Sequence, residues 1–144
     1  MRIPAFSLFS AISELLVTAG VLFVVRRNWT RRLFPFGVFL SVALFEGLVN
    51  VMYMAHRASE AASAPGHAAA STLSTGMKIA FAAHGLLSLL AYLVFVVLGT
   101  FAHQEQDKGR WFFRERPALT WTFLVGWTIS IVSGEAIFAL RYLV

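Results

Sequence analysis

Four apolar runs, each near the length of a bilayer crossing, govern what this chain can fold into. They cover residues 5–25, 33–55, 77–102 and 118–142. A spanning helix needs about 20 predominantly apolar residues and pairs all its backbone polar groups internally, which hydrocarbon demands. The chain is 58% hydrophobic and only 13% charged, against roughly 25% charged in an average soluble domain. A soluble fold of 144 residues has too little interior to hide that much apolar surface. The expected fold class is therefore an all-α integral membrane protein, an antiparallel bundle of four transmembrane helices forming one domain over residues 1–144.

The first run is read as a retained helix and not as a signal peptide. Glu14 interrupts its core, and Val21 to Val25 carry it past the only small-residue patch. Arg26, Arg27, Arg31 and Arg32 close it with a basic loop, and Pro35 falls in the first turn of the second run. Arg57 to Thr75, rich in Ala, Ser, Gly and Pro, reads as an exposed mobile loop, with His67 solvated in it. Gln104 to Arg116 is a mixed-charge connection whose Trp111, Phe112 and Phe113 suit the headgroup layer. Pro117 opens the fourth run.

The isoelectric point near 10.5 does not point to nucleic acid, because the basic residues flank apolar runs and form no continuous face. They orient the chain instead. Arg26, Arg27, Arg31, Arg32, Lys108, Arg110, Arg114 and Arg116 fall on one side, and only Arg2, Arg57, Lys78 and Arg141 on the other. The excess marks the cytoplasmic side of a bacterial-type inner (plasma) membrane, with both termini outside the cytoplasm. The absence of cysteine excludes disulfides and thiolate metal ligands.

Each run also carries a polar interruption: Glu14 in the first, Glu46 and Asn50 in the second, His84 in the third and Glu135 in the fourth. A charged residue at the centre of a spanning helix costs roughly 2.5–3.5 kcal/mol on insertion scales, so these groups are expected to face one another. Counted from the flanking charges at about 1.5 Å per residue, His84, Glu135 and Asn50 share a tier in the outer half. Glu46 and Glu14 fall about one helical turn deeper by the same count. Ser10 with Glu14, Glu46 with Asn50, and His84 with Ser88 share faces at i, i+4.

Three readings of this layer compete. In the first it is structural, with carboxyls and imidazole hydrogen-bonded across helices; such bonds stabilise by about 0.6–2 kcal/mol each. In the second it holds a metal ion. No Glu-x-x-His of the di-metal bundles is present, and three Glu, one His and an Asn amide suit one hard or borderline cation. In the third, His84 meets haem or a quinone. Bis-histidine haem is disfavoured, because His56 lies about a turn and a half away in depth. His56 reads as a gate, an extra ligand or an interfacial residue, and His103 as interfacial. Trp127 and the Phe-rich faces read as packing, and Gly85, Gly99, Gly126 and Gly134 as points of close helix approach. No phosphate loop, nucleophile elbow or Cys/His metal motif is present.

The segment from His84 to Ala91, followed by Trp127 and then Ser133-Gly134, resembles small bacterial four-helix membrane proteins of the HsmA and CtaM-like type. The likeness covers the second half of the chain best. Glu46 falls where HsmA-type proteins carry an aspartate, and His56 matches a CtaM-like histidine ending the second helix. Arg31-Arg32 and Arg116-Pro117 stand where CtaM-like proteins have further histidines. The resemblance implies a metal- or haem-associated membrane protein linked to respiratory oxidase maturation.

The expectation is thus a membrane bundle binding a metal ion (iron, zinc or copper) or metallo-cofactor, haem being the lesser expectation. Glu46, His84 and Glu135 are the leading ligands, Glu14 and Asn50 come next, and His56 is an additional one. The alternatives are a non-catalytic subunit or assembly partner of a membrane complex, and an intramembrane acid–base enzyme on a lipid-like substrate.

Overall fold

A computed structural model describes residues 5–63 and 75–142 of the chain. They form helices α1 (Ala5–Trp29), α2 (Phe36–Ser63), α3 (Thr75–Gln106), α4 (Phe112–Glu115) and α5 (Pro117–Tyr142), and no strand occurs among the described residues. Helices α1 and α3 outrun their apolar segments, because the backbone ladder continues wherever its polar side chains reach water. Arg26 and Arg27 in the last turn of α1 also suit its negative end. Helix α2 extends seven residues into the stretch expected to be loop, where Ala58, Glu60, Ala61 and Ala62 are good helix formers. Residues 64–74, His67 among them, lie outside the described residues.

Two helix ends on the same face of the bundle close by the same device. After α1, Arg31 takes a left-handed φ of 57° and the Arg32 N–H donates to the Arg27 carbonyl at 2.9 Å. After α3, Gly109 takes φ 73° and the Arg110 N–H donates to the Glu105 carbonyl at 3.1 Å. Both are Schellman-type ends. Glycine adopts this φ freely, whereas arginine does so against its Cβ. Pro35 stands just before α2, and its carbonyl accepts from the Phe39 N–H at 2.9 Å; Pro117 opens α5 as expected.

The long helices pack as a ring in which α1 touches α2 and α5, while α3 touches α2 and α5. Neighbours run antiparallel. Phe39 and Ala43 of α2 meet Phe95 and Tyr92 of α3, and His84 and Phe95 of α3 meet Ser133 and Phe123 of α5. Three helices, over Ser7–Trp29, Thr75–Gln106 and Pro117–Leu140, are long and apolar enough to cross a membrane. The apolar part found in α2, Phe36–Met52, is shorter.

The surface distribution is inverted relative to a soluble protein. Leu15, Leu16, Leu44, Val51, Ile79, Leu86, Val132 and Leu140 are exposed, while Ser13, Asn28, Glu46, Thr120 and Ser130 are buried. Water would penalise that outer surface, and lipid would not.

Among the described residues the dense core occupies the end of the bundle where α1 finishes. Val21, Val24, Phe95, Ala102 and Phe113 are fully enclosed there. Phe95 contacts Phe39, Phe123 and Trp127 at centroid distances of 5.2, 6.3 and 5.8 Å. Trp127 is a packing residue, and its Nε1–H donates to Thr18 Oγ1 at 3.1 Å, tying α5 to α1.

The headgroup assignment of the connecting aromatics fails for two of the three. Phe112 and Phe113 are buried, because α4 folds back beneath the bundle and closes it. Asn28 Oδ1 accepts from the Phe113 N–H at 3.0 Å, and Thr120 Oγ1 donates to the Phe113 carbonyl at 2.8 Å. These side chains, with Glu115 Oε1 accepting from the Trp111 N–H at 2.8 Å, pair backbone groups of this short helix. Outside it, Arg116 lies over the Phe112 ring at 4.3 Å, and Glu105 pairs with Arg110 and Arg116. The Phe34 N–H donates to Gln106 Oε1, holding the entry to α2 against the end of α3. His103 stacks on Phe36 at 4.2 Å.

Candidate functional site: a polar cavity in the open half

Past the aromatic plug the helices part around a cavity of about 730 Å³. Ser10 and Glu14 of α1, Glu46 and Asn50 of α2, His84 and Ser88 of α3, and Glu135 of α5 all line it. The polar stripes expected on the separate helices therefore converge on one space. The volume falls in the range of roughly 300–1,000 Å³ typical of small-molecule sites and far exceeds the roughly 30 Å³ of a water molecule.

Gly134 brings two of these residues together. A Cβ there would lie 2.8 Å from His84 Cε1, 3.1 Å from His84 Nε2 and 3.0 Å from Glu14 Oε2. The imidazole of α3 and the carboxyl of α1 thus both rest against the bare backbone of α5. The Glu14 side chain is long enough to reach Gly134 from a turn deeper, so this contact is compatible with the depth count. Gly99 is likewise a point of close approach, since a Cβ there would strike the Phe39 ring. Gly85 and Gly126 are not, because neither has a neighbour in the way of a Cβ.

The hydrogen bonds set the chemistry of His84. Its Nδ1 lies 2.9 Å from Ser133 Oγ, and that hydroxyl lies 2.7 Å from the Ser130 carbonyl within the same helix. The carbonyl can only accept, so the single Ser133 proton goes to it, and Ser133 Oγ must accept from His84 Nδ1–H. A neutral ring would then present its Nε2 lone pair beside Gly134 and Glu14. Sequence reasoning did not assign this role to Ser133. The signal available was the spacing of Trp127, Ser130, Ser133 and Gly134, which puts a serine hydroxyl on the same side of α5 as the buried tryptophan.

The carboxyls have unequal surroundings. Glu46 is buried, and Asn50 Nδ2 donates both to its Oε1 at 3.1 Å and to its backbone carbonyl at 2.9 Å. Asn50 therefore serves Glu46 first. Glu135 Oε1 is buried without a hydrogen-bond partner among the described residues. Glu14 lies within electrostatic range of both Glu46 and Glu135. Lys78 lines the cavity from the first turn of α3. The side chain of His56 lies outside the described residues.

A preformed ion site asks three donors to close on one point, at about 2.0–2.6 Å from it. Among the described residues no three His, Cys, Asp or Glu side chains are grouped to hold an ion. Glu46, His84 and Glu135 instead stand on the walls of a space much larger than an ion. The arrangement can accept hydrogen bonds, exchange protons with a bound molecule and enclose an apolar body. The cavity is also blind, since the Phe39–Phe95–Phe123–Trp127 cluster and α4 fill the bundle beyond it. No family model, curated protein or solved structure matches the chain.

Proposed function

We propose that the chain is a multi-pass membrane protein, all four long helices spanning, whose outer-half cavity binds a small organic molecule. The polar end of that molecule sits among Glu14, Glu46, His84 and Glu135. The observation carrying this reading is the convergence of polar residues from all four helices on one blind cavity of about 730 Å³. A purely structural role for the layer would join these groups to one another and leave little space. Among the described residues no three of these side chains are grouped to hold an ion. A blind end argues against a conduit. Binding, or proton transfer to a bound molecule, is what remains. The positive charge beside α4 and after α1 supports a cytoplasmic location for the closed end and an outer-leaflet location for the cavity.

The test is purification into lipid nanodiscs, followed by organic extraction with mass spectrometry and elemental analysis in parallel. The expected result is a discrete small molecule with the wild type that is depleted in Glu135→Gln and His84→Ala. Stoichiometric metal in the wild type, lost in His84→Ala and without an organic ligand, would overturn this reading in favour of the ion. An empty cavity with stoichiometric membrane partners would overturn it in favour of a non-catalytic subunit.

A further inference from the structure

The cavity has a side opening. Helices α2 and α3 are pinned at the closed end by Phe39 against Phe95, by Tyr92 Oη donating to the Ala43 carbonyl at 3.2 Å, and by the Tyr92 hydroxyl seated on Gly47. From Tyr92 the same face of α3 continues through Leu89, Gly85, Ala82 and Lys78, at steps of three and four residues. From Gly47 the facing side of α2 continues through Asn50 and Met54. These stripes should go on touching if the helices stayed together. Instead Leu89, Gly85, Ala82, Lys78, Asn50 and Met54 all line the cavity. Met54 is 71% exposed and Leu89 50%, and Leu86, beside this stripe and also lining the cavity, is 62% exposed. Residues that line a cavity and are at the same time half open to the outside mark its mouth. The mouth lies between two apolar helices, on a surface suited to lipid.

Its height fits one leaflet. From Leu89 to Lys78 the helix rises about 16 Å, close to half of a hydrocarbon core of about 30 Å. The polar cluster sits near His84, about 9 Å below Lys78 on the same scale. A head group reaching it leaves the interface and enters hydrocarbon, which a phosphate or carboxylate resists strongly. Among the described residues the destination offers acceptors: Nε2 of a neutral His84, whose Nδ1 pairs with Ser133, and Oε1 of Glu135, which has no hydrogen-bond partner there.

We infer that the cavity is entered sideways from the outer leaflet, between α2 and α3 above the Tyr92–Gly47 contact, by an uncharged lipid-like molecule ending in a hydroxyl. This rests on the small-molecule reading above and names its route and ligand class. The hydroxyl donates toward His84 Nε2 or Glu135, and the apolar body leaves past Leu86, Leu89 and Met54.

The probe is a diazirine-bearing long-chain alcohol, compared with the matching fatty acid, on wild-type protein in phosphatidylcholine nanodiscs. The alcohol should label the segments around Leu86–Leu89 and Val51–Met54, unlabelled alcohol should compete, and the fatty acid should label them several-fold less. Leu86→Trp, at an exposed position where the fold is indifferent to bulk, should reduce alcohol labelling several-fold with thermal unfolding unchanged. Equal labelling by the acid would overturn the ligand class. Labelling spread over outward residues such as Leu16 and Leu140, or unaffected by Leu86→Trp, would overturn the route. If Leu86→Trp retains the co-purified molecule while Glu135→Gln loses it, lateral entry falls and the binding cavity stands. If neither variant changes the co-purified content, the small-molecule reading falls as well.

Discussion

Replacing Gly134 by alanine tests the centre of the site with a single methyl group. The new Cβ would meet His84 Cε1 at 2.8 Å, Glu14 Oε2 at 3.0 Å and His84 Nε2 at 3.1 Å. All are closer than comfortable carbon contacts of about 3.5–4.0 Å. Glu14 can swing into the cavity at little cost. His84 is held by Ser133 at 2.9 Å, so moving it weakens a hydrogen bond with a net worth of about 0.5–1.5 kcal/mol. Overpacking adds typically about 1–3 kcal/mol, and its lower end applies where an open cavity receives the displaced atoms. Alanine returns at most about 1 kcal/mol of helix propensity. The balance is a destabilisation of about 1 kcal/mol, together with loss of the His84–Ser133 bond. Gly126→Ala is the matched control, since nothing lies within 4 Å of its Cβ; it should be neutral or stabilising by up to about 1 kcal/mol. Unfolding in mixed detergent micelles gives both free energies, and nitrogen NMR of the imidazole reports the tautomer. Equal stabilisation by the two alanines, with His84 unchanged, would show that His84 and Glu14 do not meet over Gly134.

Gly99→Ala drives a methyl into the Phe39 ring within the dense core. It should destabilise by at least about 1–3 kcal/mol, and Phe39→Leu in the same chain should recover part of the loss in the same unfolding assay. Arg31→Gly removes the left-handed strain at φ 57° and should stabilise by up to about 1 kcal/mol, read as a raised unfolding midpoint. Trp127→Phe and Thr18→Val each break the 3.1 Å bond between α5 and α1. A double-mutant cycle should give a coupling of about 0.6 kcal/mol, and zero coupling would remove that bond from the description. Glu115 lies outside the spanning segments, and the Trp111 N–H, followed by Arg110, holds its carboxyl below the usual range. A depressed folded value means that its contribution is present above the ordinary carboxylate pKa and is lost as pH falls through the lowered one. The protection of the Trp111 amide, relative to its intrinsic exchange rate, should therefore be lost as pH falls through that lowered value, and Glu115→Gln should remove this pH dependence.

The sequence by itself determined the helices and their apolar character, because period and length are local properties. Runs of some 20 apolar residues admit few other structures, and Pro117 marks the start of α5 through its missing donor. It also determined which residues need company, since Glu14, Glu46, His84 and Glu135 are each too polar for an outward place among Leu and Val.

Only the tertiary structure decided how they meet. Helix offset depends on which ridges and glycines come into register. Gly99 and Gly134 proved to be contacts, and Gly85 and Gly126 did not. The burial of Phe112 and Phe113 depends on Asn28 and Thr120, distant in sequence from each other, which complete the backbone of α4. The divergence of α2 from α3 beyond Tyr92, which turns a polar layer into a cavity with a side opening, is likewise a property of the packed pair. Neither helix carries it alone.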